Sequence, residues 1–325
     1  MEQLNHAIRP QGVEEDQLPA SGRGGRRAVK YFAIAAMALT VLAFGALSVR
    51  LVTENQELEA RISSLREQLA RAEQLAENLT GNSAGDGAAL PPEAECPPWQ
   101  DLYPELYAQP AALGTVDEEK TVYLTFDDGP SARTREILEI LEEYGVKATF
   151  FVVGKEDERS KQWMRDIVAA GHTLGVHSYS HVYKEIYASV EDYLADFSKI
   201  YDLIFETTGV APQIFRFPGG SINGYNASTY SAIIGEMVRR GFVYFDWNVS
   251  SGDAVKGGVS AAVLTANCLS KVKSLRRAVV LMHDSASRTT TVEALPRIIE
   301  GYQRAGFTFA PLTPEVKPVV YAYPD

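Results

Sequence analysis

The sequence predicts an α/β fold for residues 121–325, a distorted (β/α) barrel of about seven strands. After residue 120, short runs rich in β-branched and aromatic residues alternate with helical segments, which is typical of parallel strands joined by right-handed crossovers. Five times a helical segment ends at a glycine and a β-rich run follows directly, as expected where a left-handed residue closes a helix. An open doubly wound sheet is the second architecture that this alternation fits.

The composition is that of a folded protein with an acidic surface. The 325 residues are 46% hydrophobic and 22% charged, which excludes wholesale disorder. The formal net charge of −11 argues against a nucleic-acid partner, because phosphates need a basic face. The two cysteines, Cys96 and Cys268, are too few for a disulfide scaffold and lack the spacing of a zinc-binding pair.

The N-terminal part of the chain predicts a membrane anchor. Residues 31–49 are an uncharged run that spans about 28 Å as a helix, close to the hydrocarbon thickness of a bilayer. The basic residues just before this run are Arg23, Arg26, Arg27 and Lys30. By the positive-inside rule, residues 1–30 are a cytoplasmic tail and the remaining chain lies outside the cytoplasm, held to the cell membrane by a single span. A cleavable signal peptide, processed after Ala46-Leu47-Ser48, is the alternative.

Residues 50–80 predict a helical stalk that resembles a coiled coil. Apolar residues recur there in a 4-3 alternation from Leu58 to Leu79, and Asn55 falls at a core position of the repeat. This stripe predicts either a homodimer or a partner helix, and like charges beside it oppose a parallel homodimer. Residues 81–120 are rich in glycine, proline and small polar residues and predict a linker.

Seven β-rich runs make up the predicted barrel. They are 121–126, 148–153, 172–176, 213–217, 242–247, 278–282 and 307–310. The helical segments between them include 134–144 and one that begins at a capping sequence, Ser189 to Asp192. In either architecture, the C-terminal ends of the strands carry the chemistry.

Polar clusters follow five of these strands. They are Asp127-Asp128, His177 to His181, Arg216, Trp247 to Asp253, and His283. Each cluster alone is explained by an ordinary turn or a strand end, but five at one rim indicate a functional site.

The residue types in these clusters fit metal-assisted hydrolysis. His177 and His181, four residues apart, can reach one ion, and a carboxylate from another strand completes three ligands with an open position for water. Asp127 and Asp128 point in different directions, so that one can bind the ion while the other accepts a proton. His283 is a candidate general acid from the opposite side. Arg216 is a candidate for orienting Asp127.

Five motifs within residues 120–315 resemble those of NodB-type polysaccharide deacetylases, carbohydrate esterase family 4. In chain order they are T-F-D-D-G-P, H-S-Y-S-H, R-F-P-G-G, D-W-N-V-S-S-G-D and L-M-H. The resemblance implies a distorted (β/α) barrel that hydrolyses N-acetyl groups of GlcNAc-type polymers. It also implies one divalent metal ion, usually Zn²⁺, with Co²⁺, Mn²⁺ and Ni²⁺ as the other candidates.

The resemblance also assigns roles by position. The implied metal ligands are Asp128, His177 and His181. The implied base is Asp127, oriented by Arg216, and the implied acid is His283, tuned by Asp253. The backbone N–H of Gly219 is the implied donor to the oxyanion of the tetrahedral intermediate.

The chain departs from the family pattern in two motifs. The family often has an aromatic residue after the motif-three proline and a tryptophan after the motif-four aspartate, where this chain has Gly219-Gly220 and Ala254. We therefore expect a wider or less apolar groove, or one completed by Tyr225 or Trp247. The expected substrate is cell-wall peptidoglycan. The alternatives are chitin-like, biofilm or O-acetylated xylan polymers, or a non-enzymatic envelope scaffold.

Overall fold

A computed structural model describes residues 96–109 and 120–323. The predicted cytoplasmic tail, transmembrane helix and stalk, residues 1–80, lie outside the described residues, as does most of the predicted linker. In the part of the chain that the structure describes, no helix combines the length and the apolar character that a membrane span requires.

The described residues contain eight short strands. In chain order they are β1 (Thr121–Gly129), β2 (Thr149–Val153), β3 (Thr173–Ser178), β4 (Ile214–Phe215), β5 (Val243–Tyr244), β6 (Val249–Ser250), β7 (Arg277–His283) and β8 (Thr308–Phe309). The predicted runs all contain a strand, and β6 is one that the sequence did not predict. The strands β4 and β5 are shorter than predicted. The reason for β5 is that the carbonyls of Phe245 and Asp246 accept hydrogen bonds from Arg216 and not from a neighbouring strand.

Seven helices pack around the strands in the described part of the chain. They are α1 (Ala132–Glu143), α2 (Glu158–Ala169), α3 (Tyr183–Ile186), α4 (Val190–Thr208), α5 (Tyr230–Arg239), α6 (Ala261–Leu269) and α7 (Thr289–Arg304). The predicted cap of α4 is confirmed, since Ser189 Oγ accepts a hydrogen bond from the backbone N–H of Asp192 at 3.0 Å.

The strands form one parallel sheet in the order β5-β4-β3-β2-β1-β7-β6, with β8 beside the start of β1. Within the described residues no pairing joins β5 to β6, so the barrel is open there and the prediction of a distorted barrel is confirmed. The register places Asp127 of β1 directly beside His283 of β7. On the other side, Asp127 pairs with Phe151 of β2.

The core has two layers that follow the alternation of side chains along the strands. Val122, Leu124 and Phe126 of β1 are buried in the larger cluster, between the sheet and the helices. Tyr123 belongs to a smaller cluster that also contains Phe151. Because alternate residues of a strand face the same side, Asp127 shares the face of Tyr123 and points into the barrel.

The segment 96–109 is held against the end of α5. A 3₁₀ helix at Pro98–Asp101 begins the segment, and the N–H of Ala108 donates to the carbonyl of Arg240 at 2.9 Å. The fully buried guanidinium of Arg240 donates to four carbonyl oxygens of the segment, those of Trp99, Leu102, Tyr103 and Leu106. Because α5 runs antiparallel to the strands, this contact lies at the end of the barrel where the strands begin. Cys96 is exposed and unbridged.

Candidate active site

The two adjacent aspartates end β1 in different environments. Asp127 is 2% exposed, whereas the side chain of Asp128 is 31% exposed. Asp128 has a φ of 68°, in the left-handed region, so its carboxylate turns away from that of Asp127. Lys155 fixes this turn, since its Nζ donates to the carbonyls of Asp128 at 3.2 Å and of Pro130 at 2.6 Å.

A third aspartate, Asp284, connects this turn to β7. Its carboxylate accepts hydrogen bonds from the hydroxyls of Ser131 at 2.7 Å and Thr134 at 2.5 Å, and its N–H donates to the Asp127 carbonyl at 2.7 Å. Burial raises the pKa of Asp284 to about 6 against the lowering effect of these hydroxyls. A Cβ at Gly129 would lie 2.5 Å from Asp284 Oδ2, so only glycine fits there.

The two motif-two histidines follow β3. His177 is 3% exposed, and its Nδ1 lies 2.8 Å from the carbonyl of Arg216. A carbonyl only accepts, so Nδ1 carries the proton and Nε2 keeps a lone pair. His181 lies in a loop with a φ of 56°. Asp196 of α4 holds that loop, since its carboxylate accepts from the N–H groups of Tyr179 at 2.6 Å and Ser180 at 2.8 Å.

Asp128, His177 and His181 form a cluster that fits a divalent metal ion. One ligand atom from each lies within 4.8 Å of the others. Asp128 Oδ1 is 3.3 Å from His181 Nε2 and 3.6 Å from His177 Nε2. A tetrahedral ion with bonds of about 2.0–2.1 Å separates its ligands by about 3.3 Å, so the cluster matches this geometry. Burial, followed by the charge of His177, lowers the pKa of His181, which favours the neutral form that binds metal.

Arg216 is fully buried and orients Asp127. Its Nη1 donates to Asp127 Oδ1 at 2.9 Å and to Thr125 Oγ1 at 2.6 Å. Its Nε and Nη2 donate to the carbonyls of Phe245 and Asp246, and its guanidinium lies 4.4 Å from the ring centroid of Phe151. The other oxygen of Asp127 therefore faces the cluster, 3.7 Å from His177 Nε2.

His283 lies beside Asp127 and is held by Asp253. Its Nδ1 is 2.7 Å from Asp253 Oδ1, and its backbone N–H donates to Asp253 Oδ2 at 2.8 Å. The hydroxyl of Thr291 also donates to Oδ2, at 2.8 Å. With Nδ1 committed to this carboxylate, Nε2 is the ring nitrogen that remains for a substrate.

The surroundings of His283 favour its protonated form. Burial lowers the pKa of His283, but the hydrogen bond and charge of Asp253, with further contributions from Asp127 and Asp128, outweigh burial and raise it. In return, the pKa of Asp253 is lowered, because its bonds to His283 and Thr291 outweigh burial. Each member of the pair therefore favours the charged form of the other.

The peptide between Pro218 and Gly219 presents an N–H group. The Pro218 carbonyl accepts from the hydroxyl of the buried Tyr187 at 2.7 Å and from Asn223 Nδ2 at 3.2 Å. In a trans peptide the N–H points opposite to the carbonyl, so these bonds turn the Gly219 N–H away from Tyr187. No acceptor among the described residues takes this N–H, and Gly219 is exposed.

Trp247 packs beside Arg216 and the motif-three loop. Its half-buried ring has its centroid 5.7 Å from the Arg216 guanidinium and packs edge-on against Tyr321 at 5.3 Å. The preceding Asp246 accepts from the N–H groups of Ser221 and Tyr321, and burial raises its pKa. Of the two motif-four aspartates, Asp253 is therefore the one whose carboxylate contacts His283.

The structure thus brings together Asp127, Asp128, His177, His181, Arg216, His283 and Asp253. Sequence reasoning missed Asp284, Asp196, Tyr187 and Tyr183, the last of which packs edge-on against His181. A signal for Asp284 was its position directly after His283. No sequence pattern marked Asp196 or Tyr187, because their contacts join distant parts of the chain.

The chain is similar to known polysaccharide deacetylases over the described domain. Residues 115–242 match the family model described as polysaccharide deacetylase. The Bacillus subtilis protein YheN is 34% identical over 204 residues, which are 62% of this chain and 70% of YheN. A peptidoglycan-N-acetylglucosamine deacetylase of Bacillus cereus is 32% identical over 59% of this chain and 69% of its own length.

A solved structure also matches, that of the catalytic domain of peptidoglycan N-acetylglucosamine deacetylase from Eubacterium rectale. It is 36% identical, has a TM-score of 0.62, and covers 65% of this chain and 97% of that domain. The chain belongs to the polysaccharide deacetylases, carbohydrate esterase family 4.

Proposed function

We propose that this deacetylase removes N-acetyl groups from GlcNAc residues of cell-wall peptidoglycan in a metal-dependent hydrolysis. The observation that carries the proposal is the register of β1 and β7, which sets Asp127 and His283 side by side next to the Asp128–His177–His181 cluster. A base and an acid next to a three-ligand cluster are the groups that amide hydrolysis requires.

A divalent ion held by Asp128, His177 and His181 supplies Lewis-acid polarisation of the acetyl carbonyl and of the attacking water. Zn²⁺ is the proposed metal, because two imidazoles and one carboxylate are a ligand set that it favours. Asp127 takes the proton of the attacking water, and Arg216 keeps its carboxylate aimed at the cluster.

Two further groups, the Gly219 N–H and the His283 imidazole, act in the later steps. The Gly219 N–H donates to the oxyanion of the tetrahedral intermediate, a contact typically worth about 3–4 kcal/mol. His283 then gives its proton to the amine nitrogen of the leaving glucosamine, so that acetate and a free amino sugar are released. Asp253 stabilises the imidazolium until that transfer.

The choice of polymer rests on relatives and on predicted topology. The matched proteins of Bacillus cereus and Eubacterium rectale are named as peptidoglycan N-acetylglucosamine deacetylases. The predicted anchor at residues 31–49 places the enzyme at the cell membrane with its catalytic domain outside, where this polymer is found.

An acetate-release assay tests the proposal. The full-length chain, purified in mild detergent, is incubated with peptidoglycan, chitooligosaccharides and acetylated xylan, with and without a chelator. We expect acetate from peptidoglycan, loss of activity with chelator, and recovery when Zn²⁺ is added. Acetate mainly from xylan would replace the proposed substrate, and binding of glycan with no acetate from any polymer would refute the enzymatic role.

The variant Asp127→Asn separates the roles of the two aspartates. It should abolish acetate release while the protein still binds one equivalent of metal. Asp128→Asn is the matched comparison, since it should weaken metal binding itself. Loss of metal from the Asp127→Asn protein would show that the two roles are exchanged.

A further inference from the structure

A shallow depression opens beside His181, on the side away from His283's strand. Its volume is about 500 Å³, and it is lined by His181, Val182, Tyr183, Lys184 and Tyr225. Tyr225 is 53% exposed and Val182 is 42% exposed, so apolar surface faces solvent next to a predicted metal ligand. An open pocket with aromatic walls next to a reaction centre is typical of a ligand-binding surface.

Tyr183 is the central side chain of this depression, and neighbouring rings hold it in place. Its ring is nearly perpendicular to that of His181, with centroids 5.3 Å apart, and to that of Tyr225 at 5.2 Å. A third edge-on contact, with the buried Tyr187, lies behind it at 6.1 Å. Such edge-to-face contacts fix a ring before any ligand arrives.

Tyr183 also fills the space beside Gly219. A Cβ built on Gly219 would lie 3.0 Å from Tyr183 Cε2 and 3.3 Å from its hydroxyl oxygen. Gly219 has a φ of 77°, which L side chains rarely adopt. Both the backbone conformation and the contact with Tyr183 therefore disfavour an aromatic side chain at Gly219, and the ring of Tyr183, from the motif-two loop, lies beside this position instead.

The Tyr183 hydroxyl is available to a ligand. No acceptor within the described residues takes its hydrogen, whereas the hydroxyls of Tyr179, Tyr187 and Tyr321 all have partners there. A neutral tyrosine hydroxyl can donate as well as accept, so it can bind an oxygen atom of a ligand.

We propose that Tyr183 and Tyr225 form a sugar-binding shelf beside the metal cluster. The apolar face of an N-acetylated amino sugar packs on these rings, and the Tyr183 hydroxyl donates a hydrogen bond to that sugar. The shelf rests on the proposed function only for its ligand class, a GlcNAc-containing oligosaccharide. In this chain the aromatic contact with the sugar would thus come from Tyr183, in the loop after motif two, and not from the position after the motif-three proline.

Binding without turnover tests the shelf. Chitotetraose is titrated calorimetrically into the full-length Asp127→Asn protein and into the same protein carrying Tyr183→Ala, Tyr183→Phe or Tyr225→Ala. We expect Kd to rise about tenfold for Tyr183→Ala and severalfold for Tyr225→Ala, with Tyr183→Phe between the parent and Tyr183→Ala because it keeps the ring.

The matched control is Tyr107→Ala, a similarly exposed tyrosine of the segment 96–109 at the other end of the barrel, which should leave Kd unchanged. Unchanged affinity in Tyr183→Ala and Tyr225→Ala overturns the shelf, and so does a parent protein that does not bind chitotetraose. If Tyr183→Ala does not fold, the Kd values of Tyr183→Phe and Tyr225→Ala for chitotetraose test the shelf in its place.

Activity of the Asp127-containing protein separates the two proposals. Normal acetate release with an unchanged KM in Tyr183→Ala would overturn the shelf and leave the proposed function standing. Chitotetraose binding that depends on Tyr183, in a protein that releases no acetate from any polymer, would support the shelf and refute the proposed function.

Discussion

Replacing Asp253 with asparagine removes the negative charge that faces His283 and leaves the shape of the side chain almost unchanged. Asp253 is 3% exposed and lies 2.7 Å from His283 Nδ1, so solvent screens this contact little. Because the charge of Asp253 raises the pKa of His283 against burial, the substitution should lower that pKa.

The size of the effect on the rate follows from the hydrogen bond between Asp253 and His283, which the substitution weakens. A hydrogen bond to a charged group contributes about 1.5–3 kcal/mol, and about 1.4 kcal/mol corresponds to a tenfold change in rate. The pKa of His283 should therefore fall, and at alkaline pH kcat/KM should be about 10–100-fold lower than in wild type. His283 acts as an acid in its protonated form, so activity is present below its pKa and is lost as pH rises through it. The alkaline limb of the rate profile should move to lower pH.

The assay is kcat/KM for acetate release from chitooligosaccharides between pH 5 and 10, measured on wild type and Asp253→Asn. The control is Asp246→Asn, a second buried aspartate of the same motif that contacts Ser221 and Tyr321 and not His283. It should leave the alkaline limb in place whatever it does to stability. An alkaline limb that does not move in Asp253→Asn would refute the assignment of His283 as the acid.

Three further predictions follow from the contacts that support the site. Tyr187→Phe removes the shorter of the two hydrogen bonds to the Pro218 carbonyl, so kcat should fall about tenfold in steady-state kinetics, while KM and the melting temperature hardly change. Asp196→Ala releases the loop of His181, so metal affinity should fall about 10–100-fold in a competition titration although all three ligands remain. Asp284→Ala leaves two buried hydroxyls without their acceptor, so denaturant unfolding should show a loss of about 2–4 kcal/mol.

For each of these three variants, one result would contradict the prediction. A lowered melting temperature with unchanged kcat would make Tyr187 a packing residue. Unchanged metal affinity in Asp196→Ala would mean that the loop holds its shape without that carboxylate. Wild-type stability in Asp284→Ala would show that water replaces the carboxylate at Ser131 and Thr134.

The sequence predicted the fold best where the hydrophobic pattern of a segment and the residues that end it indicate the same element. Alternation of helices and β-rich runs predicted the parallel sheet, and five glycines marked where five of the seven described helices stop. It overestimated β5, because the hydrogen bonds that shorten this strand come from Arg216, which directly follows another strand, β4. It missed β6, whose two residues are too short a run to show a period.

The site was predictable to the extent that its residues follow strand ends. Asp127, His177, Arg216 and His283 all lie at such ends, and parallel strands bring their ends to one rim. The residues that hold this rim in shape were not predictable. Tyr187 reaches Pro218 across 31 residues of sequence, and only the folded chain shows that contact.

The contact of Arg240 with the segment 96–109 has a mechanical consequence. Tension on the chain N-terminal to this segment would reach four hydrogen bonds to one guanidinium before it reached β1. The load would pass into α5, at the end of the barrel opposite Asp127 and His283. Tension from the N-terminal side would therefore act on the end of the barrel where the strands begin. The distance between Asp127 and His283, at the other end, would not change.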